Sequence, residues 1–228
     1  LRSRRPSPSG APYYRDRADA ADHLIRQLSS DIDSTWLVLA LPRGGVPIAA
    51  AIARHLGTDF DLLIVRKVGL PGHPELAVAA VTGAEPEDMA VNELVARYGG
   101  LSRDRLRELA AGPVREVEER RRRWKSAAAS REITGRRVLL VDDGAATGTT
   151  LDAALSALRQ QGAGEIAVAL PVALRGALDH PSLEGVRVIC PHSDADLPAV
   201  GCAYDGFAQT TDEEVGVLLA ASRASTPE

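Results

Sequence analysis

Val138-Leu139-Leu140-Val141-Asp142-Asp143-Gly144-Ala145-Ala146-Thr147-Gly148-Thr149-Thr150 is the stretch on which the reading of this chain turns. Four aliphatic residues predict a buried strand, two adjacent carboxylates stand at its carboxyl end, and a small-residue loop opens the next helix. In a parallel sheet that edge is where ligands bind. Small residues let backbone N–H groups approach a ligand, a helix N-terminus adds partial positive charge, and Thr147, Thr149 and Thr150 offer hydroxyls. The loop from Ala145 through Ala146, Thr147, Gly148 and Thr149 to Thr150 is therefore suited to a phosphate. Asp142 and Asp143 are acceptors only, and suit sugar hydroxyls or water on a divalent cation. A phosphate beside a diol describes a ribose 5-phosphate. The loop lacks the Lys-Ser/Thr of a P-loop, and no GxGxxG spacing occurs in the segment.

Outward from this stretch, strands and helices alternate. Trp36 to Leu41 is an apolar run of strand length that ends in Pro42-Arg43-Gly44-Gly45 and is followed by helical spacing from Val46 to Leu56. Asp61 to Val65 predicts a second buried strand, Ile166 to Val172 a fourth and Val186 to Cys190 a fifth, with helices at Tyr14 to Leu28 and Thr149 to Gln161. This pattern predicts an α/β fold, a largely parallel sheet with helices on both faces. Arg66-Lys67-Val68-Gly69-Leu70-Pro71-Gly72-His73-Pro74 reads as an irregular loop because of its Gly and Pro content. Leu76 to Thr82 and the Met89 neighbourhood predict a hairpin around Gly83 to Asp88, and a long helix follows from about Arg103 to Ala128, with Ser102 as N-cap. Leu1 to Pro12, rich in Arg, Ser and Pro, predicts a loose tail.

The sequence has 228 residues, 45% of them apolar and 25% charged, which fits one ordinary globular domain. Its formal charge of −4 provides no overall field for nucleic acid or an anionic membrane. The basic run Arg120-Arg121-Arg122-Arg123 follows Glu116, Glu118 and Glu119 at i,i+4 spacing from Arg120, Arg122 and Arg123, as expected of a solvated helix face. The expectation is of no nucleic-acid or membrane partner. Without a long apolar run or a secretion signal, the chain reads as cytoplasmic. Cys190 and Cys202 share no metal-ligand or redox spacing, in keeping with a reducing compartment. Only Lys67 and Lys125 are lysines among 27 basic residues, so the lysine at the end of the second strand suggests a need for a compact, flexible charge.

Val138 to Thr150 closely resembles the PRPP signature of the type I phosphoribosyltransferases, and Leu41 to Pro47 and Arg66 to Gly69 resemble that family's pyrophosphate-binding segments. The likeness is strongest to an uncharacterised bacterial branch with similar Pro-Arg-Gly-Gly, Arg-Lys-Val-Gly-Leu-Pro-Gly and Asp-Asp-Gly-x-Ala-Thr-Gly segments. The resemblance implies a core over 13–190 with a flexible loop at 67–88 and the long helix at 103–128, then a C-terminal hood and closing helix over 191–228. It implies that Asp142 and Asp143 hold the ribose hydroxyls and that Ala145 to Thr150 wrap the 5-phosphate. Arg43, Gly44, Gly45, Arg66 and Lys67 would bind pyrophosphate, with Lys67 and Arg66 assisting its departure. Mg²⁺ would be held mainly by PRPP and water, near Asp142 and Asp143. A nitrogen acceptor and a homodimer are also implied. Tyr204 and Phe207 are candidates to stack on the acceptor ring. His73 is a candidate general base but reads more simply as a solvated histidine, and Thr211 to Glu214 reads as a capping box. In the 6-oxopurine branch an aspartate stands where this chain has Ala146, which argues against a hypoxanthine or guanine acceptor. Two other readings keep the same site: a PRPP- or nucleotide-sensing regulator, and a hydrolase with water as acceptor.

Overall fold

The computed structural model describes residues 11–85, 88–124 and 133–224. Most of the expected tail, and the end of the long helix with Lys125, lie outside these residues. The chain passes through α1 (Arg17–Ile25), β1 (Leu37–Ala40), α2 (Val46–Leu56), β2 (Phe60–Leu62), β3 (Arg66–Leu70), β4 (His73–Val81) and β5 (Met89–Val91). It continues through α3 (Glu93–Tyr98), α4 (Arg103–Trp124), β6 (Arg137–Val141), α5 (Thr149–Gln160), β7 (Glu165–Ala169), β8 (Val172–Leu174), β9 (Arg187–Ile189), β10 (His192–Ala195) and α6 (Asp212–Ala224).

The central sheet has the order β2-β1-β6-β7-β9, with every neighbouring pair parallel. Its strands are continuous aliphatic runs because both faces are covered. Val38, Ala40, Leu139 and Val141 face a core shared with α1, α2, α4 and α6, while Leu37, Leu39, Val138 and Leu140 face α5. Pairing of Leu37 with Val138 through Ala40 with Val141 brings β1 and β6 to the same carboxyl edge. Leu41 N–H then donates to Val141 C=O at 2.9 Å, so the turn after β1 lies against the loop after β6.

The stretch 66–74 is regular, contrary to the loop expectation. It forms β3 and the start of β4, an antiparallel pair whose register shifts around Gly69, and β5 completes a three-stranded sheet as the hairpin reading expected. Gly72 takes φ +82°, so the Pro71-Gly72 pair marks the turn and leaves the flanking residues free to pair. The local composition is that of a hairpin turn, and the turn is shorter than the spread of Gly and Pro implies.

A smaller layer lies above the carboxyl edge. β8 and β10 pair in parallel, and Tyr14 bridges to Tyr204, so the N-terminal segment is part of the hood. Tyr14 is buried, with its hydroxyl on Pro171 C=O at 2.8 Å. The closing helix instead joins the main core through Val215 and Leu219, and its capping box forms: Thr211 N–H donates to Glu214 Oε2, and Glu214 N–H to Thr211 Oγ1. On α4, Glu119 pairs with Arg123 as expected, but Glu118 pairs with Arg121 and Glu116 with Arg66. Packing of α4 against the hairpin redirects those two carboxylates from their i,i+4 partners.

Candidate active site

The carboxylates end β6 as the sequence predicts, and their surroundings are set by distant segments. Asp142 Oδ1 accepts from Asp143 N–H at 2.9 Å. Asp143 Oδ2 accepts from Arg17 Nε at 3.0 Å and Nη2 at 2.7 Å, while Arg17 Nη1 donates to Ala208 C=O at 2.7 Å. The Arg17 guanidinium also lies 4.1 Å from the centre of the Phe207 ring, a cation–π contact. Tyr204 Oη donates to Asp143 C=O at 2.6 Å. Asp143 is thus held by its side chain from α1 and by its backbone from the hood.

Past the carboxylates, residues 144–151 line a cavity of about 190 Å³ together with Asp142, Leu170 and Val200. Among the described residues, no backbone or side-chain acceptor engages the N–H groups of Ala146 to Thr149. Gly148 caps α5 with φ +73°, and a Cβ there would approach Ala177 C=O to 2.3 Å. Unengaged donors at the start of a twelve-residue helix make this cavity an anion cradle.

Gly44 and Gly45 are required for close approach. A Cβ on Gly44 would fall 2.1 Å from Asp143 Oδ2, and one on Gly45 would fall 2.4 Å from Val141 C=O and 2.8 Å from Asp142 Cα. For Gly45 the obstacles are backbone and cannot swing away. Gly45→Ala is expected to cost about 1–3 kcal/mol by overpacking and to weaken ligand binding by parting β1 from β6. Urea unfolding checks the first effect; an unchanged midpoint would refute the close-approach argument.

Arg66 and Lys67, expected to act together, are separated. Because they belong to a strand, consecutive side chains point to opposite faces. Arg66 pairs with Glu116 of α4, with Nε 3.0 Å from Oε2. Lys67 lines a different cavity with Thr149, Asp152 and His180, at the start of α5. Arg43 turns toward α6, where Nη1 lies 3.4 Å from Asp212 Oδ1. Tyr204 is buried between Tyr14 and Phe207, so it offers no free face to a ligand ring; its hydroxyl supports Asp143 instead. Phe207 is 39% exposed, flanked by Tyr204 and Arg17. His73 is exposed at the start of β4.

Comparisons with known proteins identify the family of the chain. The family model described as "Phosphoribosyl transferase domain" matches residues 13–205. The chain belongs to the phosphoribosyl transferase domain family. A Mycobacterium tuberculosis protein named "Putative phosphoribosyl transferase Rv0571c" is 34% identical over 206 residues, 90% of this chain. The chain spans about half the length of that relative, 46%. The crystal structure of TT1426 from Thermus thermophilus is similar at 36% identity and a TM-score of 0.81, covering 92% of this chain and 98% of that one.

Within this phosphoribosyl transferase domain the Asp pair is electrostatically stressed. Both carboxyls lie above the usual carboxylate range, Asp142 well above it. Burial is the main cause for each; repulsion by Asp143 adds to it for Asp142, while Arg17 draws Asp143 back down. A carboxyl with a raised folded-state pKa holds its proton longer in the folded chain. Stability is therefore lost as pH rises from the unfolded value near 4 through the raised value. Asp142→Asn keeps the Oδ1 acceptor and is expected to raise the melting temperature by a few degrees at pH 7 and by less at pH 4.5. Thermal melts at both pH values check this; an equal shift at both would refute it.

Sequence reasoning missed Arg17. It stands in an amphipathic helix 126 residues from Asp143, and nothing in its own neighbourhood distinguishes it from the other 24 arginines. Among the described residues no group of three His, Cys, Asp or Glu is placed to hold a metal ion, and no helix is long and apolar enough to cross a membrane.

Proposed function

We propose that this domain transfers the 5-phosphoribosyl group of PRPP to a nitrogen acceptor, a nucleobase or related heterocycle, with release of pyrophosphate. The observation that carries the reading is continuity along one sheet edge. Asp142 lines the anion cradle, Asp143 adjoins Asp142, and Gly44 abuts Asp143. A cradle for the 5-phosphate, acceptors for the ribose hydroxyls and a glycine turn for pyrophosphate thus follow the order of groups in PRPP. Both Arg17 bonds go to Oδ2 of Asp143, which leaves Oδ1 for a ribose hydroxyl.

In the reaction the acceptor nitrogen lone pair forms a bond to C1 of the ribose. The C1–O bond to pyrophosphate breaks, its electron pair leaves on the pyrophosphate oxygen, and the proton of the acceptor passes to solvent. The transition state is oxocarbenium-like, so leaving-group neutralisation and alignment dominate. The residues fit Mg²⁺ held by PRPP oxygens and water near Asp142 and Asp143. Two crowded, partly buried carboxylates are relieved by a nearby cation, and no all-protein cage is needed. When bound, the ion would neutralise the pyrophosphate oxygens. Lys67 lies by the start of α5, where it adds positive charge beside the cradle. Tyr204 and Arg17 orient Asp143. Ala146 in place of an aspartate argues against a 6-oxopurine acceptor.

Pyrophosphate release from PRPP and Mg²⁺ tests the reading, measured with and without a panel of bases and small nitrogen nucleophiles. Release dependent on one acceptor supports transfer. Equal release without an acceptor shows hydrolysis, and PRPP binding with no release shows a sensor; either overturns the proposal. Light scattering on the same sample tests the implied homodimer.

A further inference from the structure

Arg17 also lines a larger cavity, of about 750 Å³, bounded by the start of α1, residues 206–211 and the first turns of α6. Its apolar lining comes from Ala18, Pro47, Val217 and Leu218, and Val217 is 61% exposed although it belongs to the helix that closes the core. Three carboxylates line it too: Asp16 at the cap of α1, and Glu213 and Glu214 in the first turn of α6. Among the described residues none of these three forms an ion pair, whereas Asp212 beside them holds both Arg43 and Arg123. Arg17 is the only cation among the lining residues, and its guanidinium is spent on Asp143 Oδ2 and Ala208 C=O. The cavity therefore carries an excess of negative charge. Thr210 is only 6% exposed, and among the described residues its hydroxyl has no hydrogen-bond partner. That hydroxyl is not sealed in the interior, and the residue lines this cavity, so its free side faces the cavity. A buried hydroxyl left in that state calls for a ligand or water to meet it.

Helix starts alone would favour an anion here, but two of them are already capped by the cavity's own carboxylates. Asp16 Oδ1 accepts from Asp19 N–H at 2.8 Å, and Glu214 Oε2 accepts from Thr211 N–H, while Pro47 at the start of α2 has no N–H to offer. An anion would meet carboxylates where it needs donors. We propose that this cavity binds an aliphatic polyamine, with its ammonium groups on Asp16, Glu213 and Glu214, one of them also donating to Thr210 Oγ1, and its methylene chain on Pro47, Val217 and Leu218. Each ammonium presents N–H donors and no acceptor, which matches a wall of acceptors. The methylene chain covers apolar lining and removes apolar area from water on both sides. Carboxylates from α1 and α6 around one cavity favour several charges on one chain over a single ammonium, because the second contact is made within the bound molecule. Polyamine binding here goes beyond phosphoribosyl transfer and does not depend on it. Arg17 is the link between the two sites, lining this cavity and anchoring Asp143.

Calorimetry on the full chain at low salt, with spermidine, putrescine and n-butylamine as separate probes, tests the site. One spermidine per chain is expected, with affinity falling from spermidine to putrescine to n-butylamine. Glu213→Gln and Thr210→Val are each expected to weaken spermidine binding several-fold. Val217→Lys, at an exposed position, puts an ammonium of the chain's own into the cavity and is expected to abolish binding. Glu184→Gln, a change of an exposed carboxylate outside the cavity lining, is expected to leave it unchanged. If Thr210→Val proves unfolded, Glu213→Gln and Val217→Lys decide, since both alter exposed side chains. Absence of spermidine binding, equal affinity for spermidine and n-butylamine, or unchanged affinity in any folded variant of the cavity would overturn the site. Equal losses in Glu213→Gln and Glu184→Gln, the mark of diffuse attraction to an acidic chain, would overturn it too. Ribose 5-phosphate binding is expected to be the same in all these variants. Its absence from the unaltered chain would instead overturn the transfer reading and leave the polyamine site standing.

Discussion

Asp142→Asn combined with Asp143→Asn is expected to abolish measurable binding of ribose 5-phosphate and PRPP. Each carboxylate replaced by an amide loses a charge-assisted bond to a ribose hydroxyl worth about 1.5–3 kcal/mol, so the pair together loses roughly 100-fold to 10,000-fold in affinity. The amides can still accept from Asp143 N–H and from Arg17, so the fold should persist. Circular dichroism separates loss of binding from loss of structure. Calorimetry with ribose 5-phosphate isolates the sugar and 5-phosphate from the pyrophosphate end. A folded double variant that binds with unchanged affinity would remove the ribose assignment from the β6 edge.

Arg17→Ala carries the second large effect, this time on stability. The Arg17 and Asp143 side chains are only 12% and 14% exposed, and the guanidinium satisfies Asp143 Oδ2, Ala208 C=O and the face of Phe207 together. Removing it leaves a largely buried carboxylate without its cation, at an expected cost of about 2–4 kcal/mol. Arg17 lowers the Asp143 pKa, so its loss raises that pKa further. The variant's deficit should therefore be largest at neutral pH and shrink toward pH 4.5, as the carboxyl takes up its proton. Adding Asp143→Asn should recover part of the loss, and the coupling from the double-mutant cycle measures the pair itself. Chemical unfolding at the two pH values checks both signs. A deficit under about 0.5 kcal/mol, the level of an ordinary surface substitution, or one that grows on acidification, would count against the contact.

Much of the site was legible because it is local. Val138 to Thr150 contains its own strand, turn chemistry and helix start, and Pro42 to Leu56 does the same around β1 and α2. The alternation of strand and helix, with uninterrupted aliphatic runs, implied a covered parallel sheet. Residues 66–74 were not legible in the same way because Gly and Pro mark a turn without stating how far it extends; the antiparallel pairing that makes Arg66 to Leu70 a strand depends on partners between His73 and Val81. A loop there would have let Arg66 and Lys67 act together. The pleat of the strand sends one toward α4 and the other toward α5.

The sequence alone determined the order of elements, the phosphate-type loop and the carboxylates beside it, since each is encoded by neighbours a few residues apart. Only the tertiary structure decided that Arg17 anchors Asp143, that Tyr204 supports the site from within the hood core, and that Arg66 and Lys67 turn to opposite sides of their strand. Those assignments follow from packing between segments separated by tens to more than a hundred residues. No local periodicity records such partners, because burial and charge pairing act on the surfaces that the folded chain brings together.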